Sequence, residues 1–598
     1  MSDPAALLPS RRASITHRRP LWARLRARVL RMLRRRLRVP LFYTPSYRIP
    51  IPSIEALSGQ EPRRADFVTW YLVEERLMRD REIVTPPRAE YDAISRVHDA
   101  SYLESLSEPE ALARIFAVSP GEIVVDEVMH TVRLAVGGTI AASRLAVDTK
   151  ASVFNLMGGF HHAGPAVGGG YCALNDIAIA IAQLRSDGYK EQIVILDLDA
   201  HPPDGLAACL VGDAKVKIGS ISGSEWGALI GAVDETFLPG ADDDTYLVAL
   251  RALLGRMPRP ALAFVLAGGD VLAGDRLGAL SLTLAGVRER DLLVAEWLDR
   301  TPSVWLPAGG YSDKSWKVLV GAYLAVTRRS RRPVKDKDPM MSRYAAIARG
   351  LSADRLSGGG PDDWSLEDVE TELYGRPIQH LRLLGYYTIE GIEYALARYG
   401  VLDHVRRLGY TKLVINIEPP DDVGQRVTVH GNADGQAHLL IDLIVKRDTA
   451  QGEPALVVHW LSLRNPRAAF VDGRKPLPGQ EVPGLGLARD MGQLLGRMAE
   501  RLGLPQVALR PAYLHSAYAA RNHFHFCDPA RQQRFISLLA DFGDKPLSEI
   551  TRALSEGRVR MDGAPYAWEA DLMIYRPEDP SVSLQAPAGP RPRFTLVS

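Results

Sequence analysis

Cysteine is nearly absent: Cys172, Cys209 and Cys527 are the only three in 598 residues. That excludes a disulfide framework and fits a reducing, cytoplasmic setting. No run of about 18 uncharged apolar residues occurs, so no segment reads as a membrane span. No repeat of fixed period is evident, which sets solenoid architectures aside. Acidic residues are missing between Asp3 and Glu55, where arginines stand at 11, 12, 18, 19, 24, 26, 28, 31, 34, 35, 36, 38 and 48. The net charge of +2 therefore hides a strong asymmetry. Within residues 1–40, apolar positions 22, 25, 29, 32/33 and 37 recur at helical spacing and describe a basic amphipathic helix. It lacks the continuous apolar core of a secretory signal. An anionic membrane surface, nucleic acid, organellar targeting, a flexible tail or a helix docked on the next domain all fit this composition. Among the functional readings membrane contact leads, because Trp22 and the leucines supply an apolar face. A cytoplasmic protein, peripheral at the membrane through this helix, is the expectation.

What is present lies at the ends of apolar runs. Ile193–Leu196 reads as a buried parallel strand and closes on Asp197-Leu198-Asp199-Ala200-His201. Alternate residues of an extended segment share a face, so Asp197, Asp199 and His201 can point together. Two carboxylates and an imidazole are costly to bury unless a positive charge sits among them. Mixed carboxylate and imidazole ligands suit zinc with an open position. Three more apolar runs end similarly. Val153–Leu156 leads to Gly158-Gly159-Phe160-His161-His162, Ala261–Ala267 to Gly268-Gly269-Asp270, and Val304–Leu306 to Gly309-Gly310-Tyr311. In open α/β sheets, ligands bind outside the carboxyl ends of the strands. Four such clusters point to one active site in an α/β domain.

The order of these motifs, with Gly170-Tyr171-Cys172-x-x-Asn175-Asp176 between the first two and Gly268 to Asp275 as the Gly-x-Asp-x-x-Ala-Gly-Asp block, resembles the zinc-dependent histone deacetylase family. The resemblance runs from about Leu41 to Arg328 and includes Val97-His98-Asp99-Ala100-Ser101-Tyr102-Leu103. It implies the arginase/deacetylase fold, a parallel sheet flanked by helices. It also implies zinc held by Asp199, His201 and Asp270. His161 and His162 would be the catalytic pair, with His162 as general base and Asp197 and Asp204 behind the two imidazoles. Tyr311 would hydrogen-bond the substrate carbonyl. Asp197 and Ser220 fall where the family holds a monovalent cation such as K+. The implied reaction is removal of an acetyl group from protein lysine, a polyamine or another small amide. Phe160, Tyr171 and Trp226 are candidates to line a tunnel for the acyl-amine chain.

One departure stands out. The family usually follows the ligand histidine with His-Gly-Asp-Gly or Gln-Gly-Asn-Gly, whereas this chain reads His201-Pro202-Pro203-Asp204-Gly205. Two prolines stiffen the turn and remove two backbone donors. That leaves open a metal-binding but catalytically silent scaffold protein. A second metal of the arginase kind would need aspartates where Pro203 and Leu272 stand, which argues for one ion.

Residues 329–363, rich in charge runs and Gly-Pro, read as a linker with one helix over Met340–Gly350. The remainder, 364–598, reads as a separate α+β domain. Helices are expected at Leu366–Leu373 and Thr388–Leu408, then strands at Lys412–Ile417, His438–Val445 and Ala455–Leu463. The glycine loop Leu477–Gly486 opens a long helix to Leu502, followed by strand, helix and strand to Cys527. This pattern is faintly similar to the acetyltransferase fold that binds acetyl-CoA, with a helix start to cradle a pyrophosphate. Glu481 stands where that family places glutamine or arginine. A bifunctional protein that removes and transfers acetyl groups is the reading this adds.

Overall fold

The computed structural model describes residues 39–597 apart from 226–228, 232, 359–380, 471–475, 544 and 578–590. The basic N-terminal segment, Trp226 and the expected helix Leu366–Leu373 lie outside the described residues. The chain divides into two compact units, 1–340 and 341–598. Among the described residues no helix is long and apolar enough to cross a membrane.

The first unit is built on eight parallel strands. They are β1 (Leu41–Phe42), β2 (Ile83–Val84), β3 (Ser152–Asn155), β4 (Ile193–Asp197), β5 (Val216–Ser222), β6 (Val233–Phe237), β7 (Leu262–Leu266) and β8 (Ser303–Leu306). The order is β2-β1-β3-β8-β7-β4-β5-β6, and every neighbouring pair is parallel. Parallel strands need crossover connections, and covering helices bury both faces. The central strands β4 and β7 are accordingly buried along their whole length. Each aliphatic side chain so buried contributes about 1.5–3 kcal/mol relative to exposure. Helices Val125–Thr149, Asp176–Ser186, Asp243–Arg256, Leu284–Leu298 and Ser315–Arg328 complete the layers. Trp305 of β8 stacks on Phe154 of β3 with ring centroids 5.7 Å apart. Because all eight strands run the same way, β3, β4, β7 and β8 deliver their carboxyl ends to one edge. This is the expected arginase/deacetylase architecture.

Local sequence sets the boundaries. Asn175 caps the helix Asp176–Ser186, its side chain accepting from the Ala178 amide at 3.0 Å. The helix Arg64–Glu74 ends two residues before Arg76 takes a left-handed conformation (φ 56°).

The second unit carries a mixed sheet: β9 (Thr411–Ile417), β10 (Gln425–Ala433), β11 (Gln436–Ala450), β12 (Glu453–Leu463), β13 (Gln506–Leu509), β14 (His525–Phe526) and β17 (Met573–Tyr575). Its order is β14-β17-β13-β12-β11-β10-β9, with β12–β13 parallel and the other pairs antiparallel. A small sheet joins β15 (Val559–Met561) to β16 (Ala564–Pro565) and β18 (Phe594–Leu596). Strand β10 has no counterpart in the expected pattern. The expected helix Thr388–Leu408 is two, Ile389–Arg398 and Val401–Arg407, broken at Gly400 (φ 80°). Inside the stretch expected to be a linker, Pro339–Gly350 and Ala353–Ser357 are helical. Tyr344 from that stretch donates to Asp490 at 2.7 Å, and the Ala348 carbonyl accepts from Arg501 at 2.6 Å.

Candidate active site

Strand β4 ends at Asp197, and the chain continues extended through Asp199 to His201, all three buried. Strand β7 brings Asp270 to the same place. One ligand atom from each of Asp199, His201 and Asp270 lies within 4.8 Å of the others. His201 Nδ1 is 3.1 Å from Asp199 Oδ1 and 3.2 Å from Asp270 Oδ2. Its Nε2 lies 3.1 Å from the Leu277 carbonyl, which can only accept, so Nε2 carries hydrogen and Nδ1 faces the carboxylates.

The electrostatics call for a cation. Burial and the charge of Asp199 push the Asp270 carboxyl up to about 8. Against burial, which lowers it, Asp199 and Asp270 raise His201 to about 11. Two buried carboxylates thus draw a proton onto the imidazole between them. A metal ion supplies the same positive charge while leaving the imidazole neutral, as ligation requires. The donor set therefore fits a single divalent metal.

The histidine pair comes from the turn after β3. His161 Nδ1 is 2.9 Å from Asp197 Oδ2, and its Nε2 is 3.7 Å from Asp199 Oδ1. His162 Nδ1 is 2.6 Å from Asp204 Oδ1. The two rings stand 4.2 Å apart, and His162 is 5.7 Å from the ring of His201. Their basicities are driven in opposite directions. Against burial, Asp197 and Asp199 raise His161 to about 9. Burial and the neighbouring His161 lower His162 to about 4. A pair whose environments separate their pKa values divides acid and base roles between them.

Strand β8 delivers Tyr311, whose amide donates to Asp275 at 2.7 Å. Burial and the charges of Asp199 and Asp270 hold its phenol well above the ordinary range. Tyr171 lies 5.8 Å from it, ring to ring, and Phe160 is half-buried nearby in sequence to the histidines. Ser220 is fully buried beside Asp197 in the β4–β5 ladder, and its hydroxyl has no hydrogen-bond partner among the described residues.

Glycine is required where backbone meets carboxylate. A Cβ on Gly309 would fall 2.3 Å from Asp270 Oδ2 and 2.7 Å from Asp199 Oδ2, while the Gly309 amide donates to Asp199 at 2.6 Å. Gly205 is equally confined, its Cβ position lying 2.4 Å from the His162 carbonyl. The two prolines sit just ahead of the helix Asp204–Cys209, with Pro203 at its cap. Amides at a helix start have no intrahelical acceptor, so the missing donors leave no bond unmade. Asp204 reaches His162, and the Leu206 amide donates to the His161 carbonyl at 2.7 Å.

Three supporting residues escaped the sequence reading. Asp176 accepts from the amides of Gly159 (3.0 Å) and Phe160 (2.8 Å) and from Thr139 Oγ1 (2.6 Å), fixing the turn that presents both histidines. Its signal was in hand, since it follows Asn175 in a recognised motif. Arg290, fully buried, donates to the carbonyls of Leu198 (3.1 Å) and Gly268 (2.9 Å), tying the β4 and β7 ends together. Arg64 donates to the Ala308 and Gly309 carbonyls at 3.0 and 3.2 Å. Nothing local in the sequence marks either arginine.

A parallel α/β sheet whose strand ends gather a buried carboxylate–imidazole cluster fit for a metal ion, two carboxylate-backed histidines and a tyrosine defines a class of α/β protein with a candidate hydrolytic site. Comparison with known proteins narrows the class. Residues 59–327 match the histone deacetylase domain family. The chain is 31% identical over 308 residues to histone deacetylase 2 of Arabidopsis thaliana, covering 49% of this chain and 79% of that protein. It is 32% identical over 271 residues to an uncharacterized protein of Picosynechococcus, covering 43% of this chain and 85% of that one. A solved structure of a histone deacetylase homolog from Aquifex aeolicus aligns at 23% identity and TM-score 0.41, over 48% of this chain and 83% of the other. The chain belongs to the histone deacetylase family.

Proposed function

We propose that the first unit is a zinc-dependent deacetylase that hydrolyses an acetylated amine to free amine and acetate. The observation that carries this is the convergence of three buried ligand atoms within 4.8 Å, faced by two histidines with opposed basicities. Asp199, His201 and Asp270 would hold the ion. When bound there, zinc supplies a Lewis acid for the amide carbonyl and acidifies the attacking water. His162, kept neutral by burial, takes the water proton, and Asp204 at its Nδ1 stabilises the resulting imidazolium. His161, held by Asp197, offers a positive charge beside the forming oxyanion and a proton for the departing amine. Tyr311, whose phenol stays protonated, donates to the carbonyl oxygen. Asp197 and Ser220 would bind a monovalent cation such as K+, for which the unbonded Ser220 hydroxyl supplies a ligand.

The test is acetate release from an acetyl-lysine peptide and from acetylated polyamines, with and without added zinc, beside Tyr311→Phe. Zinc-dependent turnover lost in the variant supports the reading, and the preferred substrate separates protein lysine from small amines. Stoichiometric zinc without turnover on any acetylated amine would favour a silent scaffold.

For the second unit, one observation favours the acetyl-CoA reading. Strands β12 and β13 pair in parallel only as far as Val458 and Leu509, while β12 runs on to Leu463. The helix Ala488–Arg501 connects them just after Gly484 and Gly486. Against phosphate binding, the Glu481 carboxylate lies in that loop, paired with Arg464 at 2.7 Å. Calorimetric titration of the full chain with acetyl-CoA decides it, and absence of binding removes the bifunctional reading. For residues 1–40 the reading remains attachment to an anionic surface, tested by co-sedimentation with phosphatidylserine vesicles and by retention on DNA.

A further inference from the structure

The second unit holds a partly open pocket between a sheet and a helix, lined almost wholly by apolar side chains. Its floor is one face of the β10–β11 ladder. Val427 stands directly opposite Leu443, and Val429 opposite Ile441, so four aliphatic side chains form a continuous apolar surface. Its roof is the helix Ala488–Arg501. Met491, Leu494, Leu495 and Met498 follow the i, i+3, i+4, i+7 pattern and all face the space. Unbranched methionines adapt their shape to what lies against them.

Sheet and helix in a well-packed domain meet without such a gap. Apolar side chains around a void lose dispersion contacts they would otherwise make, so this surface gains by being filled.

Charge sits at one end. Arg497 and Arg501, one turn apart at the carboxyl end of the same helix, also line the cavity. Arg501 donates to the carbonyls of Ala348 and Leu351 and forms no ion pair among the described residues. Arg497 pairs through Nη1 with Glu500 at 2.8 Å, while its buried Nε has no partner. An apolar chamber with guanidinium donors at a single end matches an amphiphile with an anionic head and an aliphatic tail. Arginine favours a carboxylate there through its planar fork of donors.

We propose that this cavity binds a long-chain carboxylate, its tail between the β10–β11 face and the helix Ala488–Arg501, its head at Arg497 and Arg501. The site is separate from the metal cluster, and its occupancy does not depend on deacetylase activity.

The experiment is calorimetric titration of the full chain, stripped of lipid, with hexadecanoate and, separately, with dodecanol. The expected result is one saturable hexadecanoate site. Arg497→Gln should weaken hexadecanoate roughly tenfold, the scale of one charge-assisted hydrogen bond, and leave dodecanol unchanged. Ala395→Trp, which fills the cavity from the helix Ile389–Arg398, should abolish both while the melting temperature is kept. No saturable hexadecanoate binding overturns the proposal. So does binding that survives Ala395→Trp in a folded protein. Equal weakening of the acid and the alcohol by Arg497→Gln overturns the assignment of the head group.

Discussion

The two units use their sheets in opposite ways. In the first, every strand points the same way, so Asp197, Asp270 and the turns bearing His161 and Tyr311 meet at a single edge. In the second, antiparallel neighbours alternate their ends, and among the described residues no edge gathers a cluster of potential metal ligands. What it offers instead is a face, where Val427, Val429, Ile441 and Leu443 meet a helix that does not close on them. Parallel order concentrates chemistry at strand termini, while alternation presents apolar surface for holding a tail. One chain thus carries a site suited to bond cleavage and another suited to retention.

The contrast can be broken most severely at the metal. Asp270→Asn removes a charge from the buried cluster and is expected to lower bound zinc below a tenth of stoichiometry and activity by at least about 10⁴-fold. Metal analysis beside acetate release checks this, and no change in hexadecanoate binding should accompany it. Tyr311→Phe keeps the metal and is expected to cost about 10²–10³-fold in kcat, the worth of one oxyanion donor. Gly309→Ala tests the edge mechanically. Its Cβ would lie 2.3 Å from Asp270 Oδ2, and a loss of about 2–4 kcal/mol with weakened zinc is expected from thermal unfolding.

The second unit should respond to acid instead. Burial lowers His515 to about 4 in the folded state, against about 6.5 when unfolded. A depressed histidine takes its proton on unfolding, so its burial costs nothing above about pH 6.5. Stability then falls as pH drops from there towards 4. Allowing for partial exposure, the loss is about 2 kcal/mol, and His515→Gln should flatten it in urea titrations. The smallest effect is expected at the double proline. Pro203→Ala should change stability by less than about 1 kcal/mol, because the helix start it caps needs no donor from it.

How much of this was legible depends on where partners lie in the chain. Asp197, Asp199 and His201 could be read together because a two-residue period puts them on one face. Asp270 and Tyr311 could be read from glycines beside polar residues at strand ends. Arg290 could not, because its acceptors lie 92 and 22 residues away and a lone arginine in a helix looks like any surface arginine. Asp176 stands in the Gly170–Asp176 motif, but its carboxylate serves a turn 16 and 17 residues upstream, a partner that no local pattern names. In the second unit, β10 does carry a strand's alternation, Arg426, Thr428 and His430 against Val427 and Val429, but Gly424 and Gly431 close in on it and leave only a few residues of pattern. The prolines show the converse, a local rule sound in itself whose penalty vanished once they stood ahead of a helix.

The spacing behind the metal cluster also fixes when it can exist during synthesis. His201 meets Asp270 across 69 residues, and the amide that clasps Asp199 comes 110 residues after it. A ribosome-bound chain that has displayed Asp199 and His201 still lacks β7 and β8, so it offers a passing ion two ligands without enclosure. Metal capture at this site would therefore wait for the far half of the sheet to emerge and dock, a non-local step that is slow by nature. On the proposed function, loading would be a late checkpoint, and a chain truncated before β7 would leave the ribosome with two of the three ligands.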